Sequence, residues 1–360
     1  MDKRKKICVV TYCEWSSYGS VLQTIGMRSA ISDLGAESFV LIDNPAPLPT
    51  TRFNFKISKN IKTLIKNLLK VRIKNKIELQ YQKSIQFINK NVDIKYYDSY
   101  EVIKAHPPKA DIYIAGSDQI WHPNLCKPLF FLEFLPENAK KYSYAASMGV
   151  TEVPCEKEEK FKKLVSSFDT YSVRESEMIE VLSRYTDKSI LHHIDPSFFI
   201  DKDGWGIYEK EYSITKPYIL VFAIYWDKKL NKKLKLLHKK TGKEIVVISS
   251  TINRVWGNRK VYDADCGNFL YLIHNADAVV SSSFHGVALS LNYNKKLSVV
   301  VNPNAPSRLN SIMNKVGFKN VEIENLMDFD LGQYDQINLK IQEEKQKGID
   351  YLKGILSNEE

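Results

Sequence analysis

The chain lacks any apolar run long enough to cross a bilayer. Its longest, Tyr218–Trp226 (YILVFAIYW), has nine residues, about half a membrane span. It has no Cys-x-x-Cys pair. The five cysteines, Cys8, Cys13, Cys126, Cys155 and Cys266, are odd in number and scattered, which argues for reduced thiols and against a disulfide framework or a zinc site. No Gly-x-x-x-x-Gly-Lys-Ser/Thr loop occurs, and no Gly-x-Gly-x-x-Gly follows the first strand pattern, so ATP hydrolysis and NAD binding lack their usual phosphate loops. No Gly, Pro or Ser tract marks disorder. The opening MDKRKKICVVTY is charged, but its apolar stretch is too short for a signal peptide; a cytoplasmic protein, at most peripheral to the inner membrane face, is expected.

What is present is enough chain for two ordinary cores: 360 residues with 44% hydrophobic content. The net charge of +10 is concentrated. Residues 51–90 carry eleven Lys or Arg against one acid, Glu78, and the remainder balances at 41 of each sign. A nucleic-acid binder with a basic face throughout is not written this way, and no nucleic-acid partner is expected. Within the basic segment Ile57, Ile61, Leu64, Ile65, Leu68 and Leu69 keep helical spacing. It reads either as a solvated helix face or as an arm for anionic lipid, where each basic group adds about 1 kcal/mol.

Short β-branched runs alternate with helical patterns. The strand patterns are Lys6–Tyr12, Ser38–Asp43, Asp111–Ser117, Lys141–Ser147 and Thr170–Glu175, then Pro217–Tyr225, Glu244–Ser250, Asp277–Ser283 and Leu297–Val301. Helical patterns include Ser20–Leu34, Lys157–Ser167, Ser176–Ser183 and Lys228–Lys240. Continuous apolar strands alternating with helices predict an α/β fold with parallel sheets covered on both faces. Two series predict two Rossmann-like domains, 1–205 and 206–333, with an active-site cleft between them. A helix near Asp335–Leu356 supplies a docking stripe within 334–360.

In such sheets ligands collect at the carboxyl ends of strands. The polar oddities fall there: SSYGS (Ser16–Ser20), AGSDQIW (Ala115–Trp121), SVRES (Ser172–Ser176), SSSFHG (Ser281–Gly286) and NAPSRLNSI (Asn304–Ile312). His285 falls in a first helical turn, either as a proton carrier or held by a backbone carbonyl. Arg174 and Arg308 close strand patterns, where guanidinium forks suit carboxylate or phosphate. The alternatives are an ion pair of Arg174 with Glu175 or another carboxylate, and a surface position for Arg308 after a proline-rich turn. Asp118 is a general base, a ligand for sugar hydroxyls or a helix cap, and Trp121 a platform for a sugar ring. His192, His193 and Asp195 imitate a metal site, but adjacent strand histidines point to opposite faces. They read as structural.

With YGSVLQ (Tyr18–Gln23), AGSDQIWHP (Ala115–Pro123), KYSYAASMG (Lys141–Gly149), SVRE (Ser172–Glu175), DPSFF (Asp195–Phe199) and SSFHG (Ser282–Gly286) in this order, the chain resembles the polysaccharide pyruvyl transferase family from about Ile7 to Phe318. The resemblance implies a GT-B-like shape and transfer of the enolpyruvyl unit of phosphoenolpyruvate onto two hydroxyls of a sugar in a bacterial capsular or exopolysaccharide precursor, which is built on lipid pyrophosphate. Phosphoenolpyruvate is then a co-substrate, and no cofactor or metal is implied. By position, His285 and Arg174 are the implied catalytic residues, Arg174, Arg308, Ser283 and Gly286 the donor site, and Asp118, Gln119, Trp121 and Tyr18 the acceptor side. Many members have an arginine two positions before the histidine; this chain has Ser283 and loses that anion contact. The competing expectations are a nucleotide-sugar glycosyltransferase of the same shape and a non-catalytic relative.

Overall fold

The computed structural model describes residues 4–43, 61–251 and 253–357, with backbone only for 61–70. Two parallel sheets form its frame. In the first, β1 (Lys6–Val10), β2 (Glu37–Asp43), β3 (Ile94–Tyr97), β4 (Ile112–Ala115) and β5 (Tyr142–Ser143) lie in the order β3-β2-β1-β4-β5. A short ladder of β6 (Tyr171–Val173) and β7 (Ile190–His192) adjoins it through isolated bridges at Tyr142 and Ala146. The second sheet repeats the plan: β8 (Tyr218–Phe222), β9 (Glu244–Ile248), β10 (Arg259–Val261), β11 (Ala278–Ser281) and β12 (Leu297–Val299) in the order β10-β9-β8-β11-β12. Both are parallel throughout, as continuous apolar runs demand when helices cover both faces. Thr170–Glu175 contributes to the side ladder rather than to the main sheet. The edge strands β3 (IKYY) and β10 (RKV) carry lysine or arginine inside the strand. An edge strand needs no unbroken apolar run and tolerates charge, which is why the pattern search passes over them.

The helices are α1 (Tyr18–Asp33), α2 (Ile61–Asn91), α3 (Tyr100–Ala105), α4 (Cys155–Val165), α5 (Glu177–Leu182), α6 (Lys202–Gly206), α7 (Lys228–Thr241), α8 (Cys266–His274), α9 (Phe284–Asn292), α10 (Ser307–Val316) and α11 (Tyr334–Ser357). Helix α1 is central. Every residue from Tyr18 to Met27 is buried, because the helix is covered by β-sheet on one side and by α8 and α9 of the second half on the other. A helix buried all round has no polar stripe to spare, so its buried Gln23 and Thr24 bond inward to Thr11, Tyr12 and Ser20. Gly26 permits the approach of the Asp195–Phe199 turn: a Cβ there would lie 2.0 Å from the Pro196 carbonyl oxygen.

One apolar cluster runs through both halves, from Ile7 and Val21 to Phe269 and Leu289. The last helix joins them too. It packs beside α10, where Lys315 pairs with Glu344, and returns to the first half, where Tyr351 donates to the Ser143 carbonyl at 2.8 Å and Lys5 to that of Leu356 at 2.7 Å. Of the Lys-rich segment, Ile57 lies outside the described residues, as do the side chains of Ile61, Leu64, Ile65, Leu68 and Leu69. Farther along α2, Lys76 pairs with Asp263 and Lys83 bonds its carbonyl; these two cations face protein. Among the described residues no helix is long and apolar enough to cross a membrane.

Candidate active site

The carboxyl ends of the two sheets converge on a cavity of about 560 Å³. The first half contributes Ser16–Gly19 at the start of α1 and Asp118 and Gln119 after β4. The second contributes the loops after β8 and β9, with Trp226, Asn253 and Arg254, then Ser283–His285 and Arg308. Sequence reasoning finds most of these residues and misses the two loops. Their signal is the run of Ser249, Ser250 and Thr251 that ends β9, a polar strand end like the one before His285. A second cavity of about 490 Å³ is lined by Tyr12, Trp15, Tyr81 and Tyr96 and, among the described residues, by no arginine or histidine.

The three serines before His285 divide the work. Ser281 donates to the Phe222 carbonyl and accepts from the Ser283 amide, and Ser282 bonds both amide and carbonyl of Tyr225. These bonds fix the β8 loop to the end of β11. Ser283 is the N-terminal cap of α9 by position, but its hydroxyl makes no capping bond, and the residue lines the cavity. His285 follows in the first turn. Its Nε2 points inward, 3.6 Å from Asp195 Oδ2. Its ring rests on α1 at Gly19, where a Cβ would lie 2.0 Å from Nδ1. No alanine fits without displacing the ring. Gly19→Ala is therefore expected to keep the fold and lower turnover at least about 10-fold, as small misplacements do; steady-state rates and a melting curve check it.

Arg174 is not in the cavity wall. Its side chain is 1% exposed and sits among three carboxylates: Nη1 donates to Asp195 at 2.9 Å, Nε to Glu175 at 3.2 Å, and Nη2 lies 3.7 Å from Asp118. Its guanidinium also covers the Phe284 ring at 4.1 Å. Of the two sequence readings, the structure has the ion pair, and Nη2 alone is left without a hydrogen bond, beside Asp118 of the cavity wall. The reason is electrostatic: a buried guanidinium requires paired anions, and this cluster supplies them from within. Burial opposes the charge of Arg174, but Glu175, Asp195 and Asp118 more than offset it and raise its pKa. Burial likewise works against the Asp195 carboxylate, yet His285, Arg174 and the Ser197 amide hold it well below the usual range. For Glu175 burial wins and pushes the carboxyl up despite Arg174.

Of the two arginines that line the cavity, Arg254 is exposed on the loop after β9 and the other is Arg308. It opens α10, is half-buried and forms no hydrogen bond or ion pair with another described residue. Burial and the like charge of Arg174 depress its pKa, partly opposed by Glu175 and Asp118; the group stays charged regardless. Asp118 and Gln119 line the same cavity. Asp118 adopts φ 71° and accepts from the Gln119 amide at 2.8 Å, which leaves the carboxylate between Arg174 and the open space.

Three expected site residues are placed otherwise. Trp121 is fully buried, stacked near Phe131 and bonded through Nε1 to the Phe130 carbonyl. It is a core residue and no sugar platform. Tyr18 touches the cavity, but its hydroxyl is engaged with Ala264 and Gln80 and its ring stacks on Phe269 at 4.6 Å; it joins the halves. Gly286 lies behind the wall, where a Cβ would come within 2.3 Å of Ser281 Oγ, so its place is one of close packing. His192 bonds the Arg174 carbonyl and His193 the Ser172 hydroxyl. They turn to separate partners, as the strand argument expects. Burial and Lys315 push both down to about 4.

The model of the family described as polysaccharide pyruvyl transferase matches residues 18–304. The chain belongs to this family. The match covers every strand of both sheets except β1 and includes Asp118, Arg174, Asp195 and His285; Arg308 falls just beyond it. A search of curated proteins yields no match. Among solved structures, the chain is similar to a UDP-N-acetylglucosamine 2-epimerase at 12% identity and TM-score 0.55, covering 98% of this chain and 96% of the other. It is also similar to S. aureus MnaA solved with UDP, at 14% identity and TM-score 0.52, with 92% and 90% covered. A third likeness is to Arabidopsis thaliana UGT89C1 complexed with quercetin, at 9%, TM-score 0.51, 98% and 99%. These likenesses establish the GT-B fold. Family membership makes the chain a transferase that acts in polysaccharide pyruvylation.

Proposed function

We propose that this pyruvyl transferase uses phosphoenolpyruvate as donor and forms a cyclic ketal on two hydroxyls of a sugar in a bacterial polysaccharide precursor. The observation that carries the reading is the pairing, in one cavity, of an imidazole backed by a carboxylate with an arginine, Arg308, that forms no ion pair with another described residue. A carboxylate-and-phosphate donor supplies a direct ion-pair partner, and guanidinium suits both groups.

In the reaction, His285 delivers a proton to the methylene carbon of phosphoenolpyruvate. The adjacent carbon becomes oxocarbenium-like and is attacked by the first sugar hydroxyl, whose proton passes to the enzyme or solvent. The bond from that carbon to the phosphate oxygen then breaks, phosphate leaves, and the second hydroxyl closes the ring. The two hydroxyl protons balance the one gained by the methyl group and the one gained by phosphate. Arg308 holds the anion and offsets the charge of the departing phosphate. Asp118 and Gln119, which line the same cavity, bond acceptor hydroxyls in this reading. A lipid-linked acceptor at the membrane face would give the basic segment 51–90 a use.

The test incubates the purified chain with phosphoenolpyruvate and a panel of free and lipid-linked galactosides, mannosides and glucosides, following phosphate release and ketal formation. Phosphate release that depends on one acceptor supports the reading. Thermal stabilisation by nucleotide sugars and none by phosphoenolpyruvate would replace it with glycosyl transfer; linkage gives about 2.7 kcal/mol at a ligand concentration a hundredfold above Kd. Arg308→Gln is expected to lower kcat/KM for phosphoenolpyruvate by about 10²- to 10³-fold, with an unchanged melting temperature. Equal kcat/KM removes Arg308 from the donor site.

A further inference from the structure

We propose that Asp195 is a positioning residue that fixes His285 as the Nε2–H tautomer, so that Nδ1 is the nitrogen that exchanges a proton in the cavity. Asp195 is fully buried in the turn after β7. Its Oδ1 accepts from the Ser197 amide at 2.9 Å, while its Oδ2 faces Arg174 Nη1 at 2.9 Å, Ser117 Oγ at 3.1 Å and His285 Nε2 at 3.6 Å. Nε2 is buried and has no hydrogen bond, so this carboxylate is the group that decides what it carries. At 3.6 Å the contact is electrostatic rather than a formed hydrogen bond. The sign is still unambiguous: an N–H directed at a carboxylate is attracted, a ring lone pair repelled. A neutral imidazole carries one proton on its two nitrogens, so the carboxylate leaves Nδ1 as the free base.

Nδ1 is differently placed. It lies at Gly19, among residues that line the cavity, and is neither hydrogen-bonded nor among the buried unpaired atoms. The charged groups facing the pair are Asp195 itself, Arg174 behind it, Glu175 and Asp118 on the other sides of Arg174, and Arg308 and Arg254 on the cavity wall; at its point of contact, α1 presents Gly19 and no charge. With Arg174, Ser117 and the Ser197 amide holding it, Asp195 stays a carboxylate and can stabilise the imidazole before and after it gives up a proton.

The kinetic arm of the test rests on the proposed reaction; the spectroscopic arm does not. Side-chain ¹⁵N NMR of the full chain, with the His285 signals identified by their loss in His285→Gln, is expected to show Nε2 protonated and Nδ1 bare when the ring is neutral. The opposite tautomer overturns the proposal. In Asp195→Asn, which keeps a side-chain oxygen for the Ser197 amide, the proton is expected to move to Nδ1. The value of kcat should fall about 10²- to 10⁴-fold, with KM for phosphoenolpyruvate little changed and the pH profile displaced. A folded Asp195→Asn protein with unaltered kcat and pH profile overturns the proposal as well. If that variant does not fold, the wild-type spectrum alone decides. If the wild type transfers no pyruvyl group, the reaction fails while the spectra still judge the tautomer.

Discussion

His285→Ala is expected to reduce kcat by about 10²- to 10⁴-fold, the usual contribution of a positioned proton donor, and to leave the fold standing. The ring occupies a slot between Gly19 and Phe284. Removing it exposes Nε2's neighbour Asp195, but that carboxylate keeps Arg174, Ser117 and the Ser197 amide. The loss should therefore appear in turnover rather than in melting temperature. Single-turnover measurements at saturating phosphoenolpyruvate and acceptor separate chemistry from binding. A variant that turns over at the wild-type rate would falsify the proton role of His285 outright.

Arg174→Met acts on stability instead, with an expected loss of about 3–5 kcal/mol at neutral pH, the range for breaking a buried pair by removing one partner. Methionine keeps most of the volume and the contact with Phe284, so the effect isolates charge. Asp195, Glu175 and Asp118 would be left together without their common cation. Losing that cation raises carboxylate pKa values in the variant, so acid should relieve the deficit. In the wild type the depressed Asp195 pKa contributes stability that is present above the unfolded carboxylate range and is lost as pH falls through its folded pKa. The gap between variant and wild type should thus narrow as pH falls below about 5. Denaturant titrations at neutral and acidic pH measure it. A gap that stays constant with pH would exclude the electrostatic account.

The two five-stranded sheets could be read from the sequence because their central strands are buried on both faces and so are written as uninterrupted apolar runs: ILVF in β8, IVVI in β9 and VV in β11. The placement of His285 could be read for a related reason, since a strand end that turns polar before a helix marks the ligand side of the sheet. Arg174 illustrates the limit. Its strand-end position points to an anion, but a linear pattern cannot say whether that anion is a ligand or three carboxylates from Asp118, Glu175 and Asp195, which lie 56, 1 and 21 positions away. Trp121 fails similarly. A tryptophan two residues after Gln119 suits a sugar platform, and only packing against Phe131, Phe168 and Tyr171 shows that the loop turns it inward. The sequence does not reveal Asp195 as a partner of His285, because the two are 90 positions apart.

Helix α11, which begins against the second half and ends against the first, acts as a strap over the molecule. Together with the Tyr18–Ala264 bond and the grip of Asn292 on the Ile200 carbonyl, it stitches the halves on more than one flank. A bivalve motion about a single hinge would tear several of these seams at once. Trp226 and Arg254, on the loops that line the cavity, take part in none of these seams.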